Sequence, residues 1–253
     1  MSKGFVIMAQ NTVSTDYIAC AKALENSIKC VMPEANVTIV TPDMLPYGDL
    51  APHSDWKLVN DWQVYESSPY DETIKLEADM YIPQDIMYYF DALASFDVCV
   101  CSHIRNYKGK LSDVKAYRQF IYDNKLPDVY NAITYFKKSD FASKFYAIVR
   151  DVFEHWDEYK GILICNVNEQ VTTDWAYSIA CHIMGEELTT TRIMKQFSMV
   201  HMKQYINDTF TEDWTKELVY EFTNPLKIQS FPQQYPLHYH IKDFGSKLND
   251  HYR

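Results

Sequence analysis

Two carboxylates, Glu77 and Asp79, stand one residue apart directly after the strand-like run Thr73-Ile74-Lys75-Leu76. In extended or near-extended backbone that spacing points both side chains to one side. Two acids side by side repel each other, so the pair calls for a partner. A hard divalent cation, Mg²⁺ or Mn²⁺, is the natural one because it prefers oxygen ligands. A cation held beyond the carboxyl end of a strand can in turn hold a diphosphate. Glu-x-Asp is common in acidic chains, and its place after a strand is what gives it weight.

Three further stretches carry chemistry-bearing residues. In Leu237-His238-Tyr239-His240-Ile241-Lys242, the two histidines alternate like strand residues and can face one side. A neutral imidazole is a ligand for Mn²⁺ beside carboxylates, and Lys242, or Lys247 after Gly245, is a point charge suited to phosphate. An aromatic-rich edge strand with solvated lysines explains the same residues. In Thr172-Thr173-Asp174-Trp175, Asp174 is either a catalytic acid or a first-turn residue of a capped helix. Trp175 and Tyr177 can wall a sugar site or fill a core. Asn131, at the start of an apolar run, can bond a sugar hydroxyl or serve a strand edge.

Regular elements must place these groups. Phe5 to Ala9 is a continuous apolar run, the pattern of a buried strand. Ser14 or Thr15 caps a helix with apolar residues at Tyr17, Ile18, Ala21, Leu24 and Ile28. Val37 to Val40 is a second strand, so the chain opens β-α-β, with a parallel pair. Pro46, Gly48 and Pro52 break residues 44–55 into a loop, and Trp56 to Val64 suits a short helix. A helix from Pro83 or Asp85 to Leu93, a strand from Asp97 to Ser102 and a strand from Asp128 to Phe136 follow. Asp140 caps a long helix to Trp156, Ile162 to Cys165 is a short apolar run, and Thr172 or Thr173 caps a helix to Met184. Strand signals recur at 218–222, 226–228 and 237–241. The pattern is a single α/β domain with a mostly parallel, Rossmann-like sheet flanked by helices and a mixed C-terminal half. In such sheets ligands sit beyond the carboxyl ends of the strands, here Gln10 and Asn11, Asp43, and Glu77 with Asp79.

Composition removes several classes. Six glycines are few, and neither G-x-G-x-x-G nor a P-loop pattern occurs, which argues against dinucleotide enzymes and P-loop NTPases. A net charge of −10 disfavours non-specific nucleic-acid binding, and the densest basic run is only Arg105, Lys108 and Lys110. The six cysteines match no zinc spacing, and Cys99 and Cys101 read as buried thiols. No segment approaches the roughly 20 apolar residues of a membrane span. The expectation is a reducing, cytoplasmic setting with no membrane partner.

Taken in order, these pieces resemble the nucleotide-diphospho-sugar transferases of the GT-A fold, most closely the glycogenin-like and related bacterial and viral branches. The resemblance rests on residues 5–9, Tyr17 with 19–27, 37–43, Ser68 to Met80, Asn131 to Phe136 with Lys138-Ser139, Thr173-Asp174-Trp175, and His238 to Lys242. It covers residues 1–253 as one glycosyltransferase domain, with 1–102 the nucleotide-binding half and 103–253 the acceptor and C-terminal half.

The resemblance implies a metal-dependent glycosyltransferase using a nucleotide sugar, UDP-linked. Glu77-Ala78-Asp79 stands in place of the family's Asp-x-Asp, so Asp79 is the firmer ligand for Mn²⁺ or Mg²⁺, and Glu77 contributes to the metal or the ribose. His238 or His240 completes the metal shell, and Lys242 or Lys247 takes the phosphate. Ala9, Gln10, Asn11 and Asp43 fall at uridine-binding positions, with Tyr17 to stack on the base and Asn131 toward the sugar. Asp174 falls where the family places an acid near the sugar or acceptor, with Trp175 in place of the Gln of glycogenin-like members. The segment also resembles the Glu-Asp element of inverting members, with Thr173 in place of Glu, and Asp174 would then be the general base, so both retaining and inverting outcomes stay open. Some viral members modify hydroxymethylated bases in phage DNA, which adds DNA to glycans, proteins and small molecules as acceptors, and a host cytoplasm as the setting. A nucleotidyltransferase would carry a Gly-rich basic loop where this chain has Ala9 to Val13. A nucleotide-sugar-binding protein without activity is the alternative that Glu77 motivates.

Overall fold

In the computed structural model, which describes residues 1–166 and 169–251, the first strand β1 (Lys3–Met8) is covered on both faces. Phe5, Val6 and Ile7 are wholly buried, as a continuous apolar run requires. Helix α1 (Tyr17–Val31) leads to β2 (Val37–Val40), which runs parallel to β1 with Phe5 opposite Val37. Its cap is Asp16, whose carboxylate accepts from the Ala19 amide at 2.9 Å. The expected caps Ser14 and Thr15 lie too early: Thr12 and Thr15 close a turn on each other through two hydrogen bonds of 3.0 and 3.1 Å.

The expected helix near Trp56 is a 3-10 helix (Lys57–Gln63) that passes into α2 (Val64–Ser67). Strand β3 (Glu72–Glu77) pairs parallel with β1 and sets Met8 opposite Glu77. After β4 (Met80–Tyr81), helix α3 (Tyr88–Ala92) is shorter than its sequence pattern, because Asp85 closes a turn on the Met87 amide. Next come β5 (Val98–Cys101), β6 (Ile104–Arg105), β7 (Leu111–Ser112), α4 (Gln119–Asp123) and β8 (Tyr130–Lys137).

The central sheet has the order β2-β1-β3-β8-β5. Its first three strands are parallel, and β8 lies antiparallel between β3 and β5. The mixed character of the chain therefore begins inside the main sheet. Cys99 and Cys101 are both wholly buried in β5.

Helix α5 (Asp140–Glu154) is capped by Ser139, not Asp140, because Ser139 is the extended residue and its hydroxyl accepts from Ala142. After α6 (Trp156–Lys160), Ile162 and Ile164 are exposed while Leu163 and Cys165 are half-buried against the core, so that apolar run lies along the core's edge. Thr172 caps α7 (Thr173–Met184) through the Trp175 amide. Then follow α8 (Glu186–Thr189), β9 (Met199–His201), α9 (Gln204–Asn207), β10 (Tyr220–Glu221), β11 (Lys227–Ile228), β12 (Phe231–Pro232), β13 (Leu237–His238) and α10 (Lys242–His251).

A second sheet, β4-β13-β9-β6-β7, brings the C-terminal segment back beside the turn after β3. Its β13–β9 pair is parallel and sets His238 opposite His201, while His238 lies opposite Met80 on the other side. Helix α10 docks against α1 at Gly245, where an added Cβ would come within 2.5 Å of the Tyr239 hydroxyl. No helix among the described residues is long and apolar enough to cross a membrane.

Candidate functional site

Where β3 ends, the chain turns through Ala78 and sets two carboxylates against one imidazole. His238 Nε2 lies 3.2 Å from Glu77 and 3.1 Å from Asp79. The Tyr239 amide donates to the Asp79 carbonyl at 3.1 Å and ties the two chain segments together. Lys242, in the first turn of α10, places its ammonium on the same Asp79 oxygen and 5.0 Å from the centre of the Tyr17 ring. Strand β13 ends at His238, and His240 has a left-handed backbone (φ 60°) that brings its ring to 3.8 Å from that of His238. Both histidines thus face the acids, though by a turn and not by continued strand alternation.

The ionisable groups here are shifted in different directions. Burial pushes the Glu77 carboxyl up, against the pull of His238 and Lys75. Burial also acts to raise Asp79, but the charge and hydrogen bond of His238, with Lys242, outweigh it and hold Asp79 well below the usual carboxylate range. Burial acts to lower His238, and Asp79 and Glu77 together outweigh it, so that imidazole is raised. His240 and His201 are held well below the ordinary imidazole value by burial and by the charge of His238.

These groups line a cavity of about 410 Å³ beyond the carboxyl ends of β1 and β3. Gln10, Thr12, Tyr17, Trp56 and Lys57 form its other walls. A second cavity of about 420 Å³ adjoins it, lined by Tyr117, Arg118, Tyr130, Asp174, Trp175 and His201. Glu77, His238 and His240 border both cavities. The first cavity draws His238, His240 and Lys242 from the C-terminal half, so the two halves of the sequence meet in it.

Seven of the residues singled out in the sequence therefore come together: Gln10, Tyr17, Glu77, Asp79, His238, His240 and Lys242. Asp174 faces the adjoining cavity. One of its oxygens accepts from Arg118 at 2.6 Å and the other from the Asn131 amide at 2.8 Å. The remaining residues lie outside both linings. Ala9 is wholly buried and its amide bonds Val40. Asn11 accepts from the Ile18 amide at the start of α1. Asp43 is exposed and accepts from the Thr41 hydroxyl at 2.5 Å. Lys247 is exposed on α10 and bonds the Tyr220 hydroxyl at 3.0 Å. Asn131 is wholly buried and donates to Asp61 at 3.2 Å.

That last contact belongs to a network the sequence did not disclose. Lys75, almost wholly buried, sits 2.9 Å from Asp61, which also accepts from the Tyr177 hydroxyl at 2.8 Å. Tyr177 is thus a core residue with a polar tip, and Trp175 stacks on Phe120 at 4.0 Å while facing the second cavity. Of the basic run, Arg105 is consumed internally by Ser198, Gly109 and Lys195. Lys57 and Lys75 on the cavity wall, and His201 beside His238, also went unseen. The alternation of Phe197, Met199 and His201 was the one signal for His201, and its strand has only three residues.

The donor set fits a divalent ion. Glu77, Asp79 and His238 each offer a ligand atom within 4.8 Å of the others. Two carboxylates and one imidazole suit Mn²⁺ and its neighbours.

Comparison with solved structures agrees with this architecture. The galactosyltransferase LgtC superposes with a TM-score of 0.55 at 9% identity, covering 98% of this chain and 95% of LgtC. The chain has the GT-A fold. Two further glycosyltransferases resemble it in structure. GlyE of Streptococcus pneumoniae gives a TM-score of 0.51 at 10% identity over 98% of this chain, which spans 60% of the length of GlyE. Mouse xyloside xylosyltransferase 1 gives 0.51 at 8% identity, covering 95% and 98% of the two chains. No family model matches the sequence, and no curated protein does. The GT-A fold accounts for the parallel β1–β3 half with the cavity at its carboxyl ends and for the mixed strands that complete it.

Proposed function

We propose that this chain is a glycosyltransferase that moves a sugar from a nucleotide sugar, UDP-linked, to an acceptor hydroxyl. The observation that carries this is the meeting of Glu77, Asp79 and His238 in the first cavity, where Glu77 and His238 also border the second. The donor takes the first cavity, and the acceptor takes the second. Gln10 and Tyr17 face the nucleoside, and Lys242 holds a phosphate oxygen. Glu77, Asp79 and His238 would hold Mn²⁺ or Mg²⁺. The ion would supply charge neutralisation for the departing diphosphate. Lys242 and Lys57 add positive charge on the same wall, and the aromatic sides of the second cavity restrict water around the acceptor.

Asp174 is the proposed acceptor-side carboxylate. Its pairing with Arg118 and the Asn131 amide orients it firmly. The same pairing occupies both of its oxygens, and this favours a second reading, a nucleotide-sugar-binding protein without transfer. The second cavity suits one sugar or one base ring in size. A glycan or small molecule fits the net charge of −10 better than DNA does. A hydroxymethylated base of phage DNA is the further acceptor to be tried. A cytoplasmic setting belongs to the same proposal, supported by six free thiols, four of them buried.

Calorimetric titration with UDP, with and without Mn²⁺, tests the donor site. Binding that requires Mn²⁺ and is lost in Asp79→Ala supports it. Binding indifferent to both sinks it. Mass spectrometry of several UDP-sugars offered to simple glycans and to hydroxymethylated DNA then separates transfer from binding alone.

A further inference from the structure

Beside the carboxylates lies a second cluster of ligating atoms, of which the donor site uses only His238. His201, His238 and His240 each offer a nitrogen within 4.8 Å of the others. We propose that these three imidazoles form a separate site for a borderline divalent transition ion such as Zn²⁺, and that it shares His238 with the carboxylate site.

The spacing supports it. His240 Nε2 lies 3.4 Å from His201 Nδ1. Nitrogens held at about 2.0–2.1 Å by a tetrahedral zinc are themselves about 3.4 Å apart. The His201 ring centre is 5.2 Å from that of His238 and 4.6 Å from that of His240. Two imidazoles on one tetrahedral ion have centres about 5 Å apart. The His238–His240 pair, at 3.8 Å, has to open by about 1 Å. His240 is the half-buried member of the three and sits on a turn.

The second observation is an orphaned atom. His238 Nδ1 is buried and has no hydrogen-bond partner, while Nε2 faces Asp79 and Glu77. A neutral imidazole keeps its proton on one nitrogen and offers the other to a metal. An ion on Nδ1 places the proton on Nε2, where the two carboxylates accept it. That is the usual support of a zinc-bound histidine. A ligand set of imidazoles alone favours Zn²⁺, Ni²⁺ or Cu²⁺ over Mg²⁺. His201, His238 and His240 all line the second cavity, which leaves room for a water in a fourth position.

One consequence follows from the shared ring. With its proton on Nε2, His238 cannot ligate an ion between Glu77 and Asp79. Zn²⁺ at the trio and Mn²⁺ at the carboxylates therefore oppose each other. The antagonism rests on the proposed Mn²⁺ site at the carboxylates, whereas the Co²⁺ and Zn²⁺ titrations test the trio without it.

The test uses the full chain stripped of metal with a chelator. Co²⁺ is added as a spectroscopic probe, and Zn²⁺ is titrated in competition with it. The wild type is expected to give the visible absorption of four-coordinate Co²⁺, displaced by one equivalent of Zn²⁺. His201→Gln and His240→Gln are each expected to weaken Zn²⁺ on the order of 100-fold, and Lys247→Met, outside both cavities, to retain it. Zn²⁺ is expected to weaken Mn²⁺ binding more than about tenfold in the wild type and not in His201→Gln. If His201→Gln does not fold, as near-ultraviolet dichroism would show, His240→Gln carries the test. Wild-type Zn²⁺ affinity in the folded His variants would reduce the cluster to packed, hydrogen-bonded rings and overturn the proposal. So would a loss in Lys247→Met equal to that in the His variants, or wild-type Mn²⁺ binding at the carboxylates that is indifferent to Zn²⁺.

Discussion

His238 Nε2 sits 3.1 Å from Asp79 Oδ2, a contact across 159 residues that joins the end of β13 to the turn after β3. The imidazole is raised above 6.5 because Asp79 and Glu77 outweigh its burial. A metal must displace that proton. Mn²⁺ affinity is therefore expected to rise with pH until His238 is neutral, at a pH above 6.5, and to level off beyond it. Titrations of Mn²⁺ at a series of pH values measure this, and an affinity flat across that range contradicts it.

Lys242 competes for the same carboxylate. Replacing it by Met removes a cation from Asp79 and a positive charge from the proposed phosphate position. Lys242→Met is expected to bind free Mn²⁺ more tightly and UDP about tenfold more weakly, a loss of about 1.4 kcal/mol. Lys247→Met, at the exposed residue bonded to Tyr220, is expected to change neither. Calorimetry with each ligand separates the two lysines.

The Lys75–Asp61 pair is buried at 2.9 Å under the first cavity. Removing one partner of a buried pair leaves an uncompensated charge and destabilises by about 3–5 kcal/mol. Lys75→Met is expected to lose that much in urea unfolding. The double variant Lys75→Met/Asp61→Asn is expected to recover part of it, because the orphaned carboxylate is gone.

Asp49 anchors the loop that carries Lys57 to the cavity wall. Burial acts to raise it, but it accepts from Lys57 at 2.6 Å, the Ala51 amide at 2.9 Å and Asn60 at 2.7 Å, and the net shift is downward. A carboxylate lowered in the folded state stabilises it fully above the unfolded value, here 3.8, and the effect is lost as pH falls through the lower folded value. Asp49→Asn is expected to be about 1–2 kcal/mol less stable than wild type at neutral pH. The gap should close in strongly acidic buffer, and a gap independent of pH contradicts the assignment.

The sequence by itself determined the parallel half of the fold and the chemistry at its edge. Continuous apolar runs at β1 and β5 are readable because strands buried on both faces need no polar side. Glu77 and Asp79 are readable as two acids directly after a strand, while the turn at Ala78, not strand alternation, sets both beside His238. Helix periodicity left Lys242 and Lys247 equivalent until the first residue of α10 was fixed. Five positions turn a helix by about 140° beyond a full circle, so only one of the two can face Asp79. Asn131 and Asp43 show the same limit, since local pattern does not say whether a polar side chain meets a cavity, a buried acid or its own turn. His201 lay further out of reach. It reaches the site only because short β9 pairs with β13 and sets it opposite His238. Residue type and local spacing thus fixed which groups could bind an ion. Strand pairing across more than a hundred residues decided which of them share a wall, because contacts of that range are set by the packing of whole elements and leave no period in the chain.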